Sequence, residues 1–304
     1  MSLIDKYYLT QEFSIWCIFI YFQRIVSKSP KGTVSFERRV LPGNGSSHSS
    51  YPEAKFWSNS ANPLCEFKVV TSRLIEYQSN EAVEVYFASE NLGRDALIMP
   101  SYDEELRFML SPELIAGMLF LPAMTDNETI EIVGAERFST YDGFASAFRF
   151  SDVYVDKTDI DTLGRRKASV VAVDKFCNPR KRKYSEDAES LLYIEINKAF
   201  CGFMYPCKYP CGNMGVVTAN RESDHNNSAV KAIIMWLAAS QAQRPFITYC
   251  TYGGEVSKHL GKVVSWISSL GWTVGHLWNK LIEYSSNTSM ETTDISLLEW
   301  LQDE

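Results

Sequence analysis

Apolar residues fall at helical spacing in the run 13–22, where Ile15, Ile18, Phe19 and Phe22 share one face. This spacing predicts a buried helix. The run is too short to cross a bilayer and lacks the basic start and small-residue cleavage site of a secretory signal. Alternation through Lys31-Gly32-Thr33-Val34-Ser35-Phe36-Glu37-Arg38-Arg39 predicts a strand, followed by a Gly/Ser/His-rich loop over 42–51. Further strands are predicted at 83–87, 129–133, 169–173, near Val216 and Val217, and at 246–250. Helices are predicted after Ser101, through 196–200, over 229–242, and from Glu255 and Val274. A polar insertion at 174–190 carries Arg180-Lys181-Arg182-Lys183, which reads as a nuclear-import signal or a solvated charge run. Strands alternating with helices, with no internal repeat, predict an α/β layer architecture.

The 304 residues, 45% hydrophobic and 13% aromatic, are ample for a packed core of one large or two small domains. Thirty basic against 37 acidic side chains leave a net charge of −7, so a polyanion would be repelled except at a local site. Direct nucleic-acid binding and membrane insertion are not expected. Seven cysteines without a secretory signal read as reduced thiols of an intracellular, nuclear or cytoplasmic protein. Cys201, Cys207 and Cys211 lie close together but fit no common zinc spacing, and histidine is sparse (His48, His225, His259, His276), so neither a metal site nor a cofactor is expected.

The chemistry concentrates in Ser101-Tyr102-Asp103-Glu104-Glu105-Leu106-Arg107-Phe108, followed by Leu110-Ser111-Pro112-Glu113-Leu114-Ile115. Ser101-x-x-Glu104 is a capping-box pattern, and acidic residues in a first helical turn suit the positive end of the helix dipole. The same stretch resembles the signature of poly(ADP-ribose) glycohydrolases: a triple glycine, then Gln-Glu-Glu on a helix continuing Ile-Arg-Phe and Asn-Pro-Glu-Leu-Ile. Four other segments match in order. Gly134-Ala135-Glu136-Arg137-Phe138-Ser139-Thr140-Tyr141-Asp142-Gly143-Phe144 resembles Gly-x-Glu-x-Tyr-Ser-x-Tyr-x-Gly-Tyr, and Arg165-Arg166 with 169–174 resembles the family's Arg-Arg and Ile-Val-Ala-Ile-Asp strand. Asn197-Lys198-Ala199-Phe200-Cys201-Gly202-Phe203 is nearly Asn-Lys-Ala-Tyr-Cys-Gly-Phe, and Thr251-Tyr252-Gly253 stands for Thr-Phe-Gly.

The resemblance implies a macrodomain, with a central mixed sheet flanked by helices on both faces, over 61–304. A short N-terminal helix and strand extension at 1–60 would pack on it. It also implies that Glu105 is the acid/base of ribose–ribose cleavage, with Glu104 on a ribose hydroxyl. Such cleavage needs a proton donor for the leaving oxygen and a carboxylate to steady the oxocarbenium charge. Gly93, Arg94, Asp95 and Asn220 fall at the family's phosphate loops, and Tyr141, Phe144 and Tyr252 at aromatic positions around the ligand.

The chain departs from the family at its phosphate cradles. The triple glycine is Gly93-Arg94-Asp95, and only residues without a Cβ let backbone N–H groups approach a diphosphate closely. The family's Val-Asp-Phe-Ala-Asn is Val85-Tyr86-Phe87-Ala88-Ser89. Its second glycine-rich loop is replaced by Thr218-Ala219-Asn220-Arg221-Glu222-Ser223-Asp224-His225-Asn226-Asn227, which contains no glycine. Three readings stay open: a catalytically impaired binding or scaffold module with an unidentified protein partner, a divergent but active glycohydrolase, and a module for another small ligand. Binding of ADP-ribose or its polymer is expected to be weak.

Overall fold

The structure is a computed structural model that describes residues 3–28, 30–41, 52–71, 82–94, 96, 103–143, 149–174, 188–204, 214–219, 225–251, 255–288 and 296–302. Of these, 3–11, 103–105, 188, 225–227, 255–256 and 288 are described in backbone alone.

The α/β layer expectation is met. In chain order the elements are α1 (Leu3–Ser27), β1 (Ser35–Val40), α2 (Ala54–Ser58), β2 (Glu66–Thr71), β3 (Ala82–Ala88), α3 (Asp103–Leu110) and a 3-10 helix (Pro112–Leu119). They continue with β4 (Glu128–Val133), β5 (Ser139–Asp142), β6 (Arg149–Val153), β7 (Ser169–Asp174), α4 (Ala188–Phe203), β8 (Gly215–Ala219), α5 (His225–Gln241) and β9 (Phe246–Thr251). Helices α6 (Glu255–Ser269), α7 (Val274–Thr288) and α8 (Leu297–Trp300) follow. Seven strands form one sheet in the order β1-β4-β7-β3-β8-β9-β2, and β5 and β6 form a separate antiparallel ribbon.

The apolar pattern explains which strands lie inside. Those of β3, β7, β8 and β9 are near-continuous apolar runs and are buried almost throughout, as strands covered on both faces must be. By contrast β2, at the end of the order, alternates exposed and half-buried residues. The pairs β3–β8, β8–β9 and β9–β2 are parallel, with Val83 opposite Val216, Val216 opposite Ile247 and Glu66 opposite Phe246. Gly215 is dictated by packing, since a Cβ there would lie 2.2 Å from the Phe246 ring.

The chain divides into two compact units. One comprises Met1–Arg38, Tyr86–Thr125 and Ile130–Lys175, and the other Arg39–Val85, Asp126–Thr129 and Phe176–Glu304. In the second unit Trp57, Trp236 and Trp278 are fully buried, and Trp278 hydrogen-bonds Tyr193. Trp57 Nε1 donates to Asn197 Oδ1 at 3.0 Å and Trp236 Nε1 to the Cys65 carbonyl at 2.8 Å, as buried indoles require. Asn197 in turn donates to the Pro52 carbonyl at 3.1 Å, tying α4 to the segment ahead of α2. Lys198, one residue on, is fully buried between Glu195 Oε1 at 3.4 Å and Asp126 Oδ1 at 3.5 Å. A capping box closes the start of α8, with Ser296 and Glu299 as its two halves.

In the first unit the helix expected at 13–22 exists and is longer, but its phase differs from the expectation. Ser14 and Cys17 are buried, whereas Ile15, Phe19 and Phe22 stand open to solvent and Ile18 is half-buried. The cause lies on the inward face. Tyr21 packs edge-on against Phe138 at 4.9 Å, and Arg24 donates to the Tyr154 carbonyl at 2.6 Å and pairs with Glu136 at 3.6 Å. These contacts, remote in sequence, decide which stripe turns inward.

Candidate functional site

The candidate site is built from the end of β3, the turn after it and α3, all within the first unit from Tyr86 onward. After Ala88 the chain turns through Asn91, Leu92 and Gly93. Leu92 is buried, and the Arg94 N–H closes the turn on the Asn91 carbonyl at 3.2 Å. Gly93 has φ +78°, and a Cβ there would sit 3.3 Å from Ile115 Cα and 3.4 Å from the Phe108 ring. The positive φ favours glycine, and the close approach of Ile115 leaves a Cβ little room. Gly93, which the resemblance sets at the first glycine of the family loop, packs this turn against α3 and the 3-10 helix. Arg94 is exposed beside it.

Helix α3 starts at Asp103, so Glu104 and Glu105 lie in its first turn, where the helix dipole favours carboxylates. Their side chains lie outside the described residues, as do Ser101, Asp95, Phe144, Asn220 and Tyr252. From Leu106 to Leu110 the helix is buried. Arg107 donates to the fully buried Ser111 Oγ, anchoring the helix end.

By the resemblance, Tyr86 stands where the family's strand reads Val-Asp-Phe-Ala-Asn. It is buried, with its ring 4.7 Å from that of Phe108 and inclined by 46°. This ring contact joins β3 to the helix bearing the two glutamates.

Tyr141 is buried on β5, opposite Phe150 and beside a register shift between Thr140 and Tyr141. Its segment is anchored by an ionic network that sequence reading did not find. Glu113 Oε2, at the start of the 3-10 helix, accepts the Glu136 N–H at 2.7 Å, and the Phe138 N–H reaches the Leu110 carbonyl at 2.9 Å. Glu136 pairs with Arg166 at 2.8 Å. Asp156 accepts the N–H groups of Arg137 at 3.0 Å and Thr158 at 2.9 Å, with Arg166 at 3.7 Å. Burial pushes the Glu113 carboxyl up, and the Glu136 N–H only partly opposes it. Burial also raises Asp156, but the Arg137 and Thr158 donors and Arg166 outweigh it and leave the carboxyl below its ordinary value. Glu113 and Arg166 belong to matched motifs, but Asp156 carried no sequence signal.

Gly134 opens this segment at φ +104°, with the Thr33 carbonyl 2.5 Å from any added Cβ. Among the described residues no group of three or more metal-ligating side chains is assembled.

Comparison with known proteins places this chain in a family. The profile described as "Poly (ADP-ribose) glycohydrolase (PARG), Macro domain fold" matches residues 54–259. The chain is 39% identical over 368 residues to Poly(ADP-ribose) glycohydrolase 1 of Arabidopsis thaliana, covering 99% of this chain and 65% of that protein. It is also 39% identical over 330 residues to Probable poly(ADP-ribose) glycohydrolase 2 of the same plant, covering 96% and 63% respectively. Poly(ADP-ribose) glycohydrolase 1 of Caenorhabditis elegans is 28% identical over 277 residues, covering 87% of this chain and 34% of that protein. The chain therefore spans less than two thirds of the length of these relatives. The profile match extends over most of the chain and takes in the turn at Gly93, helix α3 and the Glu136 segment, so the chain belongs to the poly(ADP-ribose) glycohydrolase family, with the macrodomain fold.

Proposed function

We propose that this chain is a poly(ADP-ribose) glycohydrolase-family macrodomain that has lost turnover and serves as a binding or scaffold module. The observation that carries the reading is Tyr86. Its ring is built into the packing of α3, where the family resemblance calls for an aspartate on the ligand. Replacement of the family's glycines by Arg94 and Asp95, and of its second glycine-rich loop by 218–227, supports the same reading. A catalytic acid acts only on a ribose held in line, and misplacement by about 1 Å can cost about 100-fold in rate. The proposed setting is intracellular, with an unidentified protein partner and no cofactor.

A second reading, a divergent active glycohydrolase with Glu105 as acid/base and Glu104 on the ribose, is favoured by Gly93. That residue holds a left-handed turn packed against Phe108 of the acidic helix. The two readings separate in one experiment: calorimetric titration with ADP-ribose beside release of ADP-ribose from poly(ADP-ribose), with an active family member as control. The scaffold reading expects a dissociation constant above about 1 mM, roughly −4 kcal/mol or weaker, and no turnover. Micromolar binding with turnover abolished in Glu105→Gln would replace it with the second reading.

A further inference from the structure

Helix α8 is a single turn, seated against α5, α6 and α7 within the second unit. Leu297, Leu298 and Leu301 are buried there almost completely, and the Trp300 ring lies 6.2 Å from that of Tyr284 on α7. Leu301 follows Leu298 by three residues and Leu297 by four, the anchor spacing of a helix laid in an apolar groove.

The segment closes much of its own backbone. The Ser296 N–H reaches Glu299 Oε2 at 3.0 Å, and the Glu299 N–H reaches Ser296 Oγ at 3.4 Å. The N–H groups of Trp300, Leu301 and Gln302 reach the carbonyls of Ser296, Leu297 and Glu299 at 2.9, 3.0 and 2.9 Å. A polar tie to α6 joins His259 Nε2 and Gln302 Oε1 at 3.0 Å. A helix of one turn has no stability of its own, since nucleation is costly. Burial of three leucines is comparable with the entropy lost in ordering 296–302, so the seating of α8 is closely balanced.

We propose that the groove between α5, α6 and α7 is a docking site for an amphipathic helix of a partner protein bearing Leu-Leu-x-x-Leu, and that α8 is the chain's own occupant, displaced when the partner binds. The occupant is specified by what already fits: Leu297-Leu298-Glu299-Trp300-Leu301, with its acid and its aromatic between the leucines. A partner helix of several turns would arrive with more of its own hydrogen bonds formed, an advantage a single turn lacks. The groove lies in the second unit and the turn at Gly93 with α3 in the first. The proposal thus gives the scaffold reading a class of partner, yet it stands whether or not the chain turns over poly(ADP-ribose).

Tethering sets the magnitude. A short link presents α8 to the groove at an effective concentration of about 1 mM. An untethered copy of the same sequence that binds the open groove at about 50 µM should therefore bind the closed chain roughly 20-fold more weakly.

The test uses a fluorescein-labelled peptide of residues 293–302, followed by anisotropy against the whole chain. Leu297→Glu combined with Leu301→Glu in the protein should vacate the groove and bind the peptide at about 50 µM, with the wild type roughly 20-fold weaker. A peptide carrying Leu297→Glu should bind neither. Amide exchange of the wild type gives a readout that needs no variant, and it decides if the double variant loses its circular dichroism. Because a displaceable α8 opens without global unfolding, residues 297–302 should exchange at least about 100-fold faster than the buried amides of α5. Exchange at 297–302 as slow as in α5 overturns the proposal, as does a folded double variant that binds no peptide or binds it no better than the wild type. A wild-type dimer in sedimentation velocity that the double variant abolishes would assign the groove to α8 of a second copy, and overturns it too.

Discussion

At the scale of single residues, the site keeps what its packing needs. Gly93 sits at φ +78° with Ile115 and Phe108 close by, so any side chain there is strained and tightly packed. Gly93→Ala is expected to cost about 1–2 kcal/mol, the range for a non-glycine residue held in left-handed backbone. Urea unfolding with an unchanged slope and a lower midpoint would check it. Glu113 tests the ionic network. Its raised pKa means that the folded state holds a proton more tightly than the unfolded chain, so its contribution favours folding below the ordinary value of 4.5 and opposes it as pH rises past the folded value. Glu113→Gln keeps a carbonyl to accept the Glu136 N–H and removes the titration, so stability at pH 7 should be equal or higher. Asp156 has the opposite sign: its stabilisation is present above its ordinary 3.8 and is lost as pH falls through its lower folded value. Asp156→Asn should therefore be less stable at pH 7 and flatter in acid, measured by thermal melts across pH.

At the scale of elements, the sequence was legible where burial is symmetrical and obscure where partners are remote. The strands at 83–87, 169–173 and 246–250 declare themselves as continuous apolar runs, and β3, β7 and β9 lie there. Strand β6 did not, since Arg149–Val153 is mostly exposed and, among the described residues, pairs with β5 alone. Nor did the break after Leu110, where a 3-10 helix begins at Pro112. For α1 the period was readable and the phase was not. Ile15, Phe19 and Phe22 look like a core stripe, yet Cys17 is buried and Tyr21 and Arg24 take their partners at Phe138, Glu136 and Tyr154, more than a hundred residues away. Two substitutions measure that phase. Cys17→Lys buries a charge at a fully enclosed position and should cost about 3 kcal/mol or more. Phe19→Ser should stay within about 0.5 kcal/mol by the same denaturation assay. Equal costs would mean that the helix is rotated from the orientation described. As for the site, the turn, the acidic helix and the Glu136 segment were all legible through motif order. The inward turn of Tyr86 was not, because a tyrosine in a strand reads equally as ligand-facing or as packing until Phe108 is seen beside it.

At the scale of the whole molecule, family membership and function separate. Identity of 39% across 99% of the chain carries the fold, while the alignment of 368 positions exceeds the 304 residues here, so the Arabidopsis relative holds segments with no counterpart in this chain. The net charge of −7 adds a general repulsion toward a diphosphate ligand that only dedicated donors at the cleft can overcome. Ligand-linked stability reads the balance directly. If ADP-ribose binds with a dissociation constant above about 1 mM, then about 1 mM ligand stabilises the fold by at most ~0.4 kcal/mol, a melting shift under about 2 °C for a chain of this size. A site of about 1 µM would give ~4 kcal/mol at the same concentration, and roughly 8–16 °C. The scaffold reading expects the small shift, unchanged in Glu105→Gln, because removing a carboxylate that holds no ribose alters nothing in the complex. A large shift that Glu105→Gln preserves while turnover disappears would assign Glu105 to chemistry and not to binding, and would return the chain to the active glycohydrolases.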